Sequence, residues 1–164
     1  MTRLEAIEKI FSSITDEAVI TSIGMTSREA YQFDRSRNFY LMSAMGSELA
    51  LGIGLAYTRP DLNVVVISGD SSALMGLSTY ALYEKLALKN LRVYVLCNYC
   101  NATTGGQPNC ADTFLFMTLG NERIVTIEIS PEKGNAPRIP MTPEEITRRF
   151  ENAIRKQDEQ VKCG

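Results

Sequence analysis

Residues 64–76 read VVVISGDSSALMG. The β-branched run from Val64 to Ile67 has the make-up of a buried strand. It gives way to Ser68 and Gly69, and Asp70, Ser71 and Ser72 follow at once. The apolar stretch beyond them predicts a helix from about Ser72 to Leu88. A strand that ends in small residues and one carboxylate, then turns into a helix, is the building unit of parallel α/β sheets. In such sheets ligands bind outside the carboxyl ends of the strands. Asp70 therefore has two readings. It caps the following helix, or it presents a carboxylate to a cation while Ser71 and Ser72 leave room for an anion at the helix start.

The same alternation runs outward in both directions. Thr2 and Glu5 form a capping-box pattern ahead of Leu4, Ile7, Ile10, Phe11 and Ile14, which share one helical face. AVITSIG, residues 18–24, predicts a strand, and MTSREAY a helix start capped by Thr26 or Ser27. NFYLM, residues 38–42, predicts a second strand. SAMGSELALGIGLAYTRP follows, with Gly46, Ala50, Gly52, Gly54 and Ala56 unusually small for a helix. Each internal Gly costs about 1 kcal/mol of helix propensity, so this helix is expected to approach another helix or a ligand closely. LRVYVLC, residues 91–97, alternates its faces as a strand. IVTIEI, residues 124–129, is the last strand, and Thr142, Pro143 and Glu145 open a terminal helix carrying Ile146, Phe150 and Ile154. PEKGNAPRIPMTP, residues 131–143, is expected to run extended over the surface. Strands separated by helices predict an α/β fold, a mostly parallel sheet covered on both faces.

The composition is that of a globular chain: 164 residues, 45% hydrophobic, 22% charged, net charge −2. One domain over residues 1–164 is expected. No basic stripe points to nucleic acid, and no apolar run approaches the ~18 residues of a membrane span. The N-terminus, MTRLEAIEKIF, has no signal-peptide core, so a cytoplasmic location is expected. The chain has no histidine, which excludes a Ser-His-Asp triad within it. Cys97 and Cys100 form a C-x-x-C, with Cys110 and Cys163 beyond. Metal, redox and plain packing readings all exist for them. The pair follows a strand rather than opening a helix, and only distant Cys163 is left as a fourth soft ligand.

Asp70 and Asn98 are separated by one helix and one strand, so both return to the same sheet edge. Carboxylate, amide and carbonyl oxygens together suit Mg²⁺. Here the residues resemble a known pattern. GDSSALM followed by LCNYCNATTGGQ is similar to the thiamine diphosphate motif, which begins Gly-Asp-Gly and ends in Asn; Gly69 to Asn98 is 30 residues. NFYLMSAMGSELALGIGLA resembles the Gly-Ser-Met-Gly loop and small-residue helix of that family. TTGGQ and NAPRIPMTPEEITRRFENAI resemble the diphosphate-binding half of sulfopyruvate and phosphonopyruvate decarboxylases. The resemblance covers nearly the whole chain. It departs at Ser71, where the motif has Gly, at Asn98–Ala102, where two glycines are missing, and at residues 107–125, which are short of a helix, a strand and a helix.

The resemblance implies a three-layer, doubly wound thiamine diphosphate-binding fold, shortened near its C-terminal part. It implies Mg²⁺ held by Asp70, Asn98 and the carbonyl of Cys100, and thiamine diphosphate held by Gly69, Ser71 and Ser72. It places the carbonyl of Ser43 and the side chain of Met45 against the aminopyrimidine, with Met45 under the bend of the cofactor; packing in the core is the other reading of Met45. Thr26 and Ser27 touch the diphosphate or only cap a helix. Gln107 and Thr104 line the entrance, or TTGGQ is a turn that needs its glycines. Phe114, Leu115, Phe116 and Met117 cover a sheet edge or meet a partner. The activating Glu of the family lies in a pyrimidine-binding domain for which 164 residues have no room. Glu48 is the nearest candidate here, against a solvated helix-start role. A hetero-oligomer with a pyrimidine-domain subunit is therefore expected, acting on a small anionic 2-keto acid. Two alternatives stand beside it: the beta subunit of a 2-oxoacid:ferredoxin oxidoreductase, and a non-catalytic α/β scaffold partner.

Overall fold

In the computed structural model, which describes residues 1–111 and 122–161, the chain alternates strand and helix from its first residues. Helix α1 (Arg3–Ser12) opens on the capping box: the Glu5 N–H donates to Thr2 Oγ1 at 3.2 Å, and the Thr2 N–H to Glu5 Oε2 at 2.8 Å. Strand β1 (Ala18–Thr21), helix α2 (Met25–Ala30), strand β2 (Asn38–Tyr40), helix α3 (Glu48–Thr58) and strand β3 (Val64–Gly69) follow. Next come α4 (Asp70–Met75), α5 (Leu77–Leu86), β4 (Leu91–Cys97), a two-residue ladder of β5 (Cys100–Asn101) and β6 (Gln107–Pro108), β7 (Ile124–Glu128) and α6 (Pro143–Val161).

Five strands make one parallel sheet in the order β2-β1-β3-β4-β7. One face buries Val64, Val66, Val93, Val95 and Cys97 against Leu49 and Ile53 of α3 and Tyr80 and Tyr83 of α5. The other buries Val65, Ile67, Tyr94 and Leu96 against Ile7 and Ile10 of α1 and Ile146 of α6. Each fully buried Val, Leu or Ile contributes about 1.5–3 kcal/mol, so the two covered faces account for the layering. This is the α/β architecture with helices on both sides that the alternation predicts.

Several local expectations are corrected. The helix expected from about Ser72 to Leu88 begins at Asp70, ends at Leu86 and is broken at Gly76. Only glycine fits at the break, since a methyl on Gly76 would stand 2.3 Å from the Gly46 carbonyl oxygen. Helix α2 is preceded by Gly24 at φ +79°, so neither Thr26 nor Ser27 is its cap; both lie inside it. The strands end sooner than their apolar runs, at Thr21, Tyr40 and Glu128. The close approach of α3 is to a strand: a Cβ on Gly52 would lie 2.4 Å from Val66 Cγ2. The expected roles of Phe114, Leu115, Phe116 and Met117 fall outside the described residues.

Residues 130–140 carry no regular structure and are mostly exposed, as their prolines predict. They are tied down by Arg3, which donates to the carbonyls of Glu132 and Lys133 at 3.3 and 3.5 Å and pairs with Glu29 at 3.3 Å. Helix α6 has the expected cap, with Thr142 and Glu145 exchanging side chain-to-backbone bonds at 2.8 and 3.2 Å. It packs on β2 through the edge-to-face pair Phe39–Phe150, 5.4 Å between ring centres.

Candidate functional site

The order of the sheet decides where a site lies. From β1 the chain adds β2 on one side and then crosses to place β3 on the other. The loops after β1 and β3 therefore diverge and leave a crevice at the carboxyl end of the sheet. A cleft of about 250 Å³ occupies it. Its walls come from Ser22 to Thr26 after β1, Gly69 to Ser72 after β3, Asn98 and Cys100 to Thr104 after β4, and Met45.

Asp70 is the first residue of α4 and is 3% exposed. Its carboxylate is not a helix cap in the usual sense. Oδ1 accepts the Ser71 N–H at 2.7 Å, and Oδ2 accepts the N–H groups of Asn98 and Tyr99 at 3.1 and 2.7 Å. The two sequence-distant halves of the motif thus meet directly. Tyr99 turns the chain there with φ +57°, and the Asn98 side-chain oxygen accepts the Cys100 N–H at 3.3 Å. Ser71 Oγ is held by Asn101 Oδ1 and Asn109 Nδ2, both at 2.8 Å. Ser72 Oγ accepts the Gly46 N–H at 2.9 Å, which fixes the loop carrying Met45.

Of the residues singled out in the sequence, Gly69, Asp70, Ser71, Ser72, Asn98, Cys100, Thr26 and Met45 line this one cleft. Met45 is 36% exposed and so is not core packing. Two others stand elsewhere. Ser43 is exposed on the Met45 loop but is not on the cleft wall. Ser27 is 2% exposed, and its hydroxyl is engaged with Thr21 Oγ1 at 2.9 Å and the Leu41 carbonyl at 3.1 Å. Gly105 and Gly106 adopt φ +122° and +74°, so TTGGQ does contain the turn its glycines allow. Glu48 is not solvated: it opens α3 but is 1% exposed. Ser22, Met25 and Arg3 also line the cleft and carry no motif. Asn109 was equally hidden, although its place in an Asn-rich loop was the available signal.

The donor set is made of hard oxygens: a carboxylate, a side-chain amide and the backbone beside it. A carboxylate has about four lone-pair sites, and the N–H groups on Asp70 leave some free. Gly69, on the cleft wall, has open space within 4 Å of where a Cβ would stand. These residues fit a magnesium-sized cation carried with an anionic ligand. Among the described residues no group of three or more Cys, Asp or Glu side chains forms a metal cluster, and Cys163, the fourth ligand of the metal reading of the cysteines, lies outside the described residues. Cys97 is buried, and burial, with Asp70 and Glu128 adding to it, pushes its thiol up to about 12. No helix among the described residues is long and apolar enough to cross a membrane.

Comparison with known proteins agrees with this geometry. Residues 20–158 match the thiamine pyrophosphate enzyme family, C-terminal TPP binding domain. The sulfopyruvate decarboxylase subunit beta of Methanococcus maripaludis is 29% identical, over 95% of this chain and 99% of its own. The sulfopyruvate decarboxylase of Methanosarcina acetivorans is 30% identical over 94% of this chain, which spans only 47% of that relative. A phosphonopyruvate decarboxylase of Streptomyces viridochromogenes is 41% identical over 65% of this chain and 27% of its own. Among solved structures, one from Mycobacterium smegmatis described as a thiamin diphosphate-dependent enzyme superposes with a TM-score of 0.59 at 15% identity, over 79% of this chain and 31% of that one. At that identity the likeness concerns the fold.

Proposed function

The chain belongs to the thiamine pyrophosphate enzymes through their C-terminal cofactor-binding domain, and from that premise we propose that it is the diphosphate- and Mg²⁺-binding subunit of a 2-keto acid decarboxylase. The substrate is a small anionic acid, sulfopyruvate or phosphonopyruvate. A separate pyrimidine-domain subunit completes the active site, and residues 1–164 act as one cofactor-binding unit. The observation that carries this reading is the meeting of Asp70 with the Asn98–Tyr99 turn on the wall of a single cleft. Relative lengths support the division of labour. The chain covers 99% of a beta subunit but 47% of a single-chain relative. The other half of the latter is the room a second domain of this size needs.

In this reading Asp70, the Asn98 amide oxygen and the Cys100 carbonyl hold Mg²⁺. Gly69, Ser71, Ser72 and Thr26 surround the diphosphate, with Ser27 holding the turn behind Thr26. Ser43 and Met45 meet the aminopyrimidine, and Met45 supports the bend of the cofactor. The chemistry such a cofactor supplies when bound is a carbon nucleophile toward the keto carbonyl and a sink for the electrons left by CO₂. The chain's own part is to bind, orient and keep the two ends of the ligand at a fixed separation. The activating carboxylate comes from the partner, since Glu48 is buried and off the cleft wall. Free thiols at Cys97, Cys100 and Cys110 suit a reducing, cytoplasmic compartment.

Calorimetric titration with thiamine diphosphate and Mg²⁺ tests the reading. Saturable binding by the wild-type chain, abolished by Asp70→Ala, is expected. No binding by the chain, alone or with its partner, leaves the scaffold alternative in its place.

A further inference from the structure

Glu48 is a carboxylate in the wrong place. It is 1% exposed at the start of α3, with Ser68 of β3 and Tyr80 of α5 as neighbours. A buried carboxylate is costly unless it is hydrogen-bonded. Its Oε1 accepts the hydroxyl of Ser68, itself 0% exposed. Its Oε2 and the nearby Tyr80 hydroxyl have no hydrogen-bond partner of normal geometry among the described residues. Burial first, then the Glu48 carboxylate, push the Tyr80 phenol far above its ordinary value, while the neighbouring Ser68 hydroxyl draws it partly back.

The positions of the bonded pair give it meaning. Glu48 stands three residues after Met45, and Ser68 two residues before Asp70. The loop carrying Met45 is therefore fastened to the β3–α4 turn at two points. One is the Gly46 N–H on Ser72 Oγ at 2.9 Å; the other is Glu48 on Ser68. We propose that Glu48 is a positioning residue that, through Ser68, holds the Met45 loop at a fixed distance from the Asp70 turn. This rests on the reading above, in which Met45 takes the ring end of the cofactor and Asp70 the diphosphate end. The buried carboxylate sets the span between those ends.

The test uses the full-length chain and two probes in excess Mg²⁺. Thiamine diphosphate engages both ends, whereas inorganic diphosphate engages only the Asp70 end. Glu48→Leu and Ser68→Ala are each expected to weaken thiamine diphosphate about tenfold, the upper end of what one buried hydrogen bond contributes. Inorganic diphosphate stays within about twofold of wild type, and Glu48→Gln, which keeps an acceptor for Ser68, binds both probes as wild type does. Circular dichroism checks the fold, and Ser68→Ala carries the test if the Leu variant does not fold. An equal loss for both probes overturns the proposal, because it marks a general structural defect. Unchanged affinity for thiamine diphosphate in a folded Ser68→Ala chain overturns it too, as does a Gln variant as weak as the Leu one. Failure of the wild-type chain to bind either probe, alone or with its partner, overturns the cofactor reading itself, and this inference with it.

Discussion

Cys97 and Cys110 are thirteen residues apart and have opposite fates. Cys97 faces the α3–α5 side of the sheet and is wholly buried, and its thiol is pushed up to about 12, chiefly by burial. Cys110 is exposed just past the β5–β6 ladder. A thiol reacts through its thiolate, so a raised pKa and burial both silence Cys97. With a disulfide reagent at pH 8, native protein is expected to be labelled at Cys110 and not at Cys97, and urea to release Cys97; peptide mass mapping reads the result. Rapid native labelling of Cys97 would contradict its placement in the core. The same scale shows what the linear sequence conceals. Asp70 was legible as a cleft residue because strand, small residues and carboxylate stand side by side. Glu48 and Arg3 were not, since the partners that bury them, Ser68 and Glu29, lie 20 and 26 residues away.

At the scale of elements, α3 separates two glycines that look alike in sequence. A Cβ on Gly52 would press on Val66 Cγ2 at 2.4 Å, whereas one on Gly54 meets nothing within 4 Å. Gly54→Ala is expected to stabilise the chain by about 0.5–1 kcal/mol through helix propensity alone. Gly52→Ala is expected to destabilise it by about 1–3 kcal/mol through overpacking. Urea denaturation of the two variants checks both signs, and the same sign for both would refute the account. Regular elements were largely readable. Strand Leu91–Cys97 has the bounds read for it, with Val93, Val95 and Cys97 facing opposite to Tyr94 and Leu96, and the capping boxes at Thr2 and Thr142 mark two helix starts. The need for glycine at the Gly76 break was not readable, because it comes from the Gly46 carbonyl, thirty residues earlier. A helix pattern says nothing about a backbone that will pass across it.

At the scale of the whole molecule, Met45 is exposed on the cleft wall, Met75 is exposed beside the same loop, and Leu51 and Tyr57 on α3 and Leu82 on α5 are exposed as well. Ala50, Leu51, Gly54, Tyr57 and Thr58 are exposed at helical spacing, so α3 turns one side to solvent. Because α3 follows the Met45 loop, which lines a cleft whose proposed activating carboxylate lies on another chain, we expect the proposed pyrimidine-domain partner to cover this side. Leu51→Glu and Tyr57→Glu are expected to leave the circular dichroism of the chain unchanged and to separate it from that partner in size-exclusion chromatography. Co-elution of both variants with the partner would exclude this face. Class and layering were open to sequence reasoning because alternation is a property of the whole chain. The crevice was open only in outline, because strand order is set by pairings that no local pattern records.

The cleft is built from two kinds of backbone. Asp70 leaves β3, which is hydrogen-bonded on both sides by β1 and β4, while Cys100 belongs to a ladder of two residues paired with two. So short a ribbon opens and closes on its own, whereas a central strand gives up its amide protons only when the domain melts. Under the proposed reading, the hold of residues 100–108 on the cofactor is expected to fade first on warming, so that ligand retention has a lower thermal ceiling than the fold.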